Sequence, residues 1–300
     1  MNGFNRLIVS IMPIFPKRFI WIFSKRYIAG KTLEDAIAQS KSLNALGCRV
    51  TMDVLGEDIT SLEEAEEEKQ ECLRVLQAIH DNQIDGSLSV KLTSVGLQLD
   101  EEVCYNHVRE ILQKAKELDN FVRIDMEDAT TTDETLALYK RLRKDFDHVG
   151  TVVQAYLKRT PDDVRNLIDA GVSNLRLCKG IYDESPEIAY KDREKIRDQF
   201  TEIIDMNLNS GSYSGIATHD KAVVSRSLIL LDKLNVPKEK YEFQMLLGVT
   251  EKLRQQLVKD GHGMRVYVPY GEHWYGYCMR RMKENPMLAW HVIKNLFIRG

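Results

Sequence analysis

The sequence predicts an α/β fold, a distorted (βα)8 barrel of the TIM type with an extra helical segment at its N-terminus. Three observations predict it. Eight short apolar or β-branched runs each precede a longer amphipathic stretch, the rhythm of a parallel sheet with crossover helices. Neither GxGxxG nor GxxxxGK followed by Ser or Thr occurs, so the phosphate loops of open doubly wound sheets are missing. Nearly every run ends in a residue able to hydrogen-bond or carry charge, and a barrel builds its active site at those ends. No Pro/Ser/Gly-rich linker divides the 300 residues, so one domain is expected. Its parts are an N-terminal helical segment (1–46), the barrel (47–285) and a C-terminal helix (286–300).

The elements follow in order. Residues 1–28 are apolar and basic, but Pro13, Pro16 and the pair Lys17-Arg18 break the run well short of a membrane span. A helical segment packed on the barrel is expected there, with a basic amphipathic anchor at a membrane surface as the alternative. The first unit is strand Cys48–Asp53 and a helix over about 59–81. The acidic run at 63–71 forms its solvated face, and Cys72, Leu73, Leu76 and Ile79 continue its apolar spacing. The second is Ser87–Leu92 and 100–118, where Asp100 before Glu101-Glu102 favours a helix start. The third is Phe121–Glu127 and 133–145, and the fourth Gly150–Tyr156 and 161–170. The fifth is Asn174–Lys179 and 187–208, the sixth Gly215–His219 and 221–234, and the seventh Tyr241–Leu246 and 249–259. Thr160-Pro161 and Ser185-Pro186 each put proline at a first helical position. The eighth strand, Met264–Val268, is ended by Pro269. Gly271 then turns the chain into a helix over 272–285, which Asn285-Pro286 stops.

Composition bounds the chemistry. Hydrophobic content of 43% supplies a core, and a net charge of −3 argues against nucleic acid as a partner. The five cysteines are scattered without a CxxC, which reads as reduced thiols in a cytosolic protein. HExxH and GxSxG are missing, and His219 has no second His or Cys at ligand spacing. No metal is therefore expected, and His219 reads as a cofactor contact or a core hydrogen bond. Cys178 reads as packing.

The strand ends collect Asp53, Lys91, Asp125, Glu127, Gln154, Tyr156, Arg176, Lys179, Thr218, His219, Gln244 and Tyr267. Lys91, Arg176 and Gln154 sit in or at the end of apolar runs, which points to a polar pocket because burying an unpaired charge is costly. On the last helix Arg280-Arg281 is followed by Glu284, leaving a net positive fork suited to a carboxylate or phosphate. Lys91, Arg176, Lys179, Arg280 and Arg281 outnumber Asp125, Glu127 and Glu284, so the ligand is expected to be anionic.

Seven segments resemble the proline dehydrogenase family in register. They are SVKL (89–92), RIDMED (123–128), VVQAYLKRTPDD (152–163), NLRLCKGIYDESPEIAY (174–190), ATHD (217–220), YEFQMLLG (241–248), and RVYVPYG with YCMRRMKENP (265–286). The resemblance spans residues 48–286 and points to the short monofunctional form. It implies a barrel holding FAD at its C-terminal face and hydride transfer from C5 of L-proline to flavin N5. The product would be Δ1-pyrroline-5-carboxylate, in the first step of proline degradation to glutamate, with electrons passed to a quinone. It also implies roles. Arg280, Arg281 and Lys91 bind the proline carboxylate, and Glu284 and Asp125 orient these cations. Tyr267, Tyr277 and Leu246 pack on the pyrrolidine ring. Arg176 hydrogen-bonds near flavin N5. Gln154, Lys179, Gly180, Tyr182, Thr218, His219 and Gln244 hold the cofactor. Asp183-Glu184, where the family often has an aromatic residue, and Asp220, where Asn is common, depart from the pattern. Hydroxyproline remains an alternative substrate. The protein is expected in the cytoplasm, free or held peripherally at the inner face of the cell membrane.

Overall fold

The strands alternate in character, and the alternation decides what faces the barrel axis. The computed structural model describes residues 20–21, 24–56 and 59–284, the side chains of 280–284 excepted. The strands are β1 (Arg49–Val54), β2 (Gly86–Val90), β3 (Val122–Ile124), β4 (Val149–Gln154), β5 (Leu175–Cys178), β6 (Ser214–Ala217), β7 (Tyr241–Leu246) and β8 (Met264–Tyr270). They pair parallel in chain order, and β1 closes on β8 with Arg49 opposite Arg265. Val50, Met52, Leu88, Ile124, Leu177, Phe243 and Val266 are buried on the outer face. The intervening residues point inward because a strand repeats every two residues. They include Thr51, Ser89, Arg123, Arg176, Glu242 and Arg265, so this interior is polar where such barrels commonly stack apolar side chains.

Parallel strands require crossovers, here helices. They are α1 (Leu33–Ala45), α2 (Leu62–Asp81), α3 (Glu101–Glu117), α4 (Thr132–Leu142), α5 (Thr160–Asp169), α6 (Arg193–Asn209), α7 (Lys221–Lys233), α8 (Glu251–Lys259) and α9 (Trp274–Glu284). Asp100 caps α3 by accepting from the N–H groups of Glu102 and Val103 at 2.9 and 3.0 Å. Thr32 and Asp35 form a reciprocal capping box on α1. The distortion lies at the barrel's seam. α1, which precedes β1, packs on both β8 and β1, the place a regular barrel gives to the helix after β8. α9 instead brings Tyr277 to the cavity at the strands' C-terminal ends.

Two expectations are corrected. β8 continues through Pro269 to Tyr270, with Pro269 opposite Asp53. Pairing with β7 ends at Leu246 opposite Tyr267, so no ladder donor is needed on that side of Pro269. The helix after β5 begins at Arg193, capped by Asp192, and not near 187. Ser185 Oγ accepts from the Glu187 N–H at 3.2 Å and forms a local turn. The next residues tie back to the β4–α5 loop through the Leu157–Ala189 bridge and the Tyr190 N–H on Tyr156 O at 2.8 Å. Those tertiary bonds take the backbone groups that a helix would use.

The described residues ahead of α1 pack at the top of the barrel, near the ends of β7 and β8. Arg26 Nε donates to Gly248 O at 3.0 Å, and the Trp21 and Trp274 rings lie 4.7 Å apart. Most of the expected anchor (1–28) and the C-terminal helix (286–300) lie outside the described residues. Among the described residues no helix is long and apolar enough to cross a membrane.

Candidate active site

Because the odd and even positions of each strand point opposite ways, the polar strand ends converge. They line a cavity of about 720 Å³ at the C-terminal ends of the strands. Lys91, Asp125, Arg176 and Tyr267 line it, as do Leu246 and Tyr277. So do Lys179, Gly180, Tyr182, Thr218, His219 and Gln244. Gln154 is buried at the end of β4, outside that lining. The side chains of Arg280, Arg281 and Glu284 lie outside the described residues, although the backbone of α9 extends to Glu284.

One half of the cavity is organised by Asp125. Its Oδ1 accepts from Ser89 Oγ and Arg176 Nη1, both at 2.6 Å, and its Oδ2 accepts from Tyr267 OH at 2.8 Å. Arg176 Nε donates to Gln244 Oε1 at 2.7 Å, and its guanidinium carbon lies 5.3 Å from the Tyr267 ring centroid. Burial and the Asp125 charge raise the Tyr267 phenol well above its ordinary range, so it remains a hydrogen-bond donor. Lys91 Nζ donates to Asp53 Oδ1 at 2.6 Å, with Asp53 1% exposed. These groups form a buried, charge-paired wall of the cavity.

The other half gathers cations around one carboxylate. Asp220, at the start of α7, accepts from Arg197 Nε at 2.9 Å and from Lys179 Nζ, with Arg193 Nη2 at 3.5 Å. Burial opposes its charge, but Arg197 and Lys179 outweigh burial and hold its carboxyl well below the usual carboxylate range. Burial moves the Lys179 ammonium downward as well, against the pull of Asp220. Gly180, at φ +96°, lies flat on Tyr156; an added Cβ would stand 2.0 Å from a carbon of that ring. His219 Nε2 accepts from the Leu246 N–H at 2.9 Å, which fixes the neutral tautomer protonated at Nδ1. The same ring lines the cavity. Among the described residues no group of three His, Cys, Asp or Glu is arranged for a metal.

Several contributors were not visible in the sequence as site residues. Tyr27, from the residues ahead of α1, lines the cavity, as do Arg193 and Asp220. For Asp220 a signal existed, since an Asp directly after a strand and before an amphipathic run is a helix cap. For Tyr27 there was none. Glu184, at the departure from the family pattern, accepts from the Ala129 N–H at 2.7 Å and ties two loops together.

Behind the Lys91–Asp53 pair stands Glu68 of α2. Burial pushes its carboxyl up to about 8, with Lys91 opposing and Asp53 and Glu71 reinforcing. The folded state therefore holds a proton that the unfolded chain releases near 4.5, so stability falls as pH rises between those values and levels off above them. Glu68→Gln is expected to melt higher than wild type above about pH 8 and alongside it near about pH 4.5. Thermal melts at both pH values check this; equal melting temperatures at the higher pH would contradict it.

The family model described as proline dehydrogenase matches residues 36–290. The chain is 41% identical over 273 residues to Proline dehydrogenase 1 of Bacillus subtilis (strain 168), covering 91% of this chain and 90% of that one. It is 35% identical to a proline dehydrogenase of Deinococcus radiodurans, covering 92% and 91% of the two chains. Among solved structures, proline utilization A from Bdellovibrio bacteriovorus superposes with a TM-score of 0.83 at 25% identity. That match covers 88% of this chain and 32% of the longer one. With the whole barrel inside the matched span and four in ten residues shared over nine-tenths of its length, the chain belongs to the proline dehydrogenase family.

Proposed function

We propose that the protein oxidises L-proline to Δ1-pyrroline-5-carboxylate with FAD held in this cavity, and that a quinone takes the electrons. The observation that carries the reading is the convergence of Arg176 and Tyr267 on Asp125 in one buried wall of the cavity. Family membership supports the substrate. Three features support the cofactor. The cavity volume suits a cofactor site. Among the described residues the buried Gln154 Oε1 has no partner, an acceptor in want of a donor such as a ring N–H. The cluster of Lys179, Arg193 and Arg197 is set against Asp220 and Glu194, which leaves one positive charge in excess, as suits a pyrophosphate.

Bound flavin supplies the hydride acceptor, and the chain's own groups supply position and charge. Lys179, Gly180, Tyr182, Thr218, His219, Gln154 and Gln244 are the proposed cofactor contacts. Gly180 supplies the left-handed backbone turn at the cavity edge, where an added side chain would strike the Tyr156 ring. Arg176 would supply positive charge to a bound flavin and so favour its electron-rich form. Arg280, Arg281 and Lys91 grip the carboxylate, the one strong handle on a small substrate. Asp53 holds Lys91, and Tyr267, Tyr277 and Leu246 wall in the ring. The amine must be neutral to lose hydride, so activity rises toward alkaline pH. The basic, apolar residues 1–28 support a peripheral membrane contact near a lipid-soluble acceptor.

The experiment is purification under mild conditions followed by mass analysis of the released yellow chromophore. FAD is the expected mass. A colourless protein that takes up no added FAD would contradict the cofactor reading.

A further inference from the structure

We propose that Glu242, sealed inside the barrel, is a positioning residue for Arg176, acting through the Gln244 amide across the bare face of Gly215. Its consequence for the redox step rests on the flavin reading above.

Glu242 and Gln244 are two residues apart on β7, so both point into the barrel. Glu242 is fully buried. Its Oε1 accepts from Arg265 Nε and from Gln244 Nε2, the latter at 2.8 Å, and its Oε2 lies 3.5 Å from Arg49 Nη1. Burial works against its ionisation, but Arg265 outweighs burial and keeps the carboxyl ionised. The far end of the Gln244 amide, Oε1, accepts from Arg176 Nε at 2.7 Å.

The chemistry of the three groups leaves one arrangement. A carboxylate only accepts hydrogen bonds and a guanidinium only donates them. An amide has one end of each kind. With its NH2 on Glu242, its oxygen must face Arg176. The flipped amide would set oxygen against carboxylate and NH2 against Nε–H, two repulsive contacts in a buried site. Arg176 Nη1 is fixed on Asp125 at 2.6 Å. Two anchored nitrogens fix the plane of the guanidinium and therefore where it aims.

Gly215 makes the link possible. Gln244 sits on β7 and Arg176 on β5, with β6 between them; Gly215 is opposite Arg176 on one side and Glu242 on the other. A Cβ at Gly215 would lie 2.5 Å from Gln244 Nε2 and 3.5 Å from the Arg176 Cα. A methyl group there would push the amide off its line between Glu242 and Arg176.

The test compares wild-type holoenzyme with Glu242→Gln and Gly215→Ala. The first replaces an acceptor-only group by one that tolerates either amide orientation. The second leaves every charge in place. Each variant is expected to retain flavin and to show a KM for L-proline within about twofold of wild type. The equilibrium between oxidised and reduced flavin, read against redox dyes, is expected to shift at least tenfold toward the oxidised form, about 30 mV for a two-electron couple. A merely structural Glu242 would lower the melting temperature and leave the potential where it was. An unchanged potential in either folded variant overturns the proposal, and so does loss of the folded barrel in both. Wild-type protein that binds no FAD overturns the flavin reading instead, and that comparison is made first.

Discussion

Asp125→Ala is expected to cost on the order of 3–5 kcal/mol of folding stability, or roughly 10 °C in melting temperature. It is expected to abolish proline oxidation as well. One carboxylate accepts from Ser89, Arg176 and Tyr267, so truncation strands three donors, one of them a guanidinium that is 7% exposed. Removing one partner of a buried pair costs far more than the pair contributes, because the remaining charge is left without compensation. Asp125→Asn is the control. It keeps shape and one acceptor but loses the charge, so it is expected to lie between wild type and alanine in stability while remaining catalytically impaired. Thermal melts and flavin content separate the two losses. An alanine variant that melts with wild type and turns over proline normally would remove Asp125 from the centre of the site.

Arg280→Ala and Arg281→Ala are each expected to lower kcat/KM for L-proline by about 10²-fold, the scale of a truncated charge-assisted contact of 2–5 kcal/mol. Flavin content is expected to remain at the wild-type level in both. The expectation rests on the adjacency of the two arginines in the sequence and on the course of α9, which carries Tyr277 to the cavity. Arg176→Ala is expected to act differently, changing flavin retention or potential more than the KM for proline. Steady-state kinetics beside absorbance-based flavin counts distinguish the two patterns. Wild-type kinetics in both clamp variants would remove the clamp.

Much of this was legible in the sequence because barrel strands declare themselves by alternation. The outward Val50, Met52, Leu88 and Phe243 mark the strands, and the polar residues between them mark the interior. Strand-end position alone selected Lys91, Asp125, Arg176 and Tyr267 for the cavity. Partnerships were not legible. Nothing in the chain near Arg176 announces that Gln244, on a strand two removed, receives its Nε, since only barrel closure brings β5 and β7 within reach across Gly215. Glu242 and Arg265 passed unnoticed as site residues because they lie one layer beneath the strand ends. Ser185-Pro186 misled for a similar reason, since its local helix signal yields to the bonds that tie 188–190 to the β4–α5 loop. Tyr27 enters from a segment whose composition suggested packing or a membrane and gave no hint of a cavity wall.

The most direct measurement is the anaerobic absorbance of the flavin-loaded protein before and after L-proline is added. Bleaching of the oxidised-flavin band, with Δ1-pyrroline-5-carboxylate appearing in step, is the expected result. A band that persists at saturating L-proline would contradict the assignment of this cavity to proline oxidation.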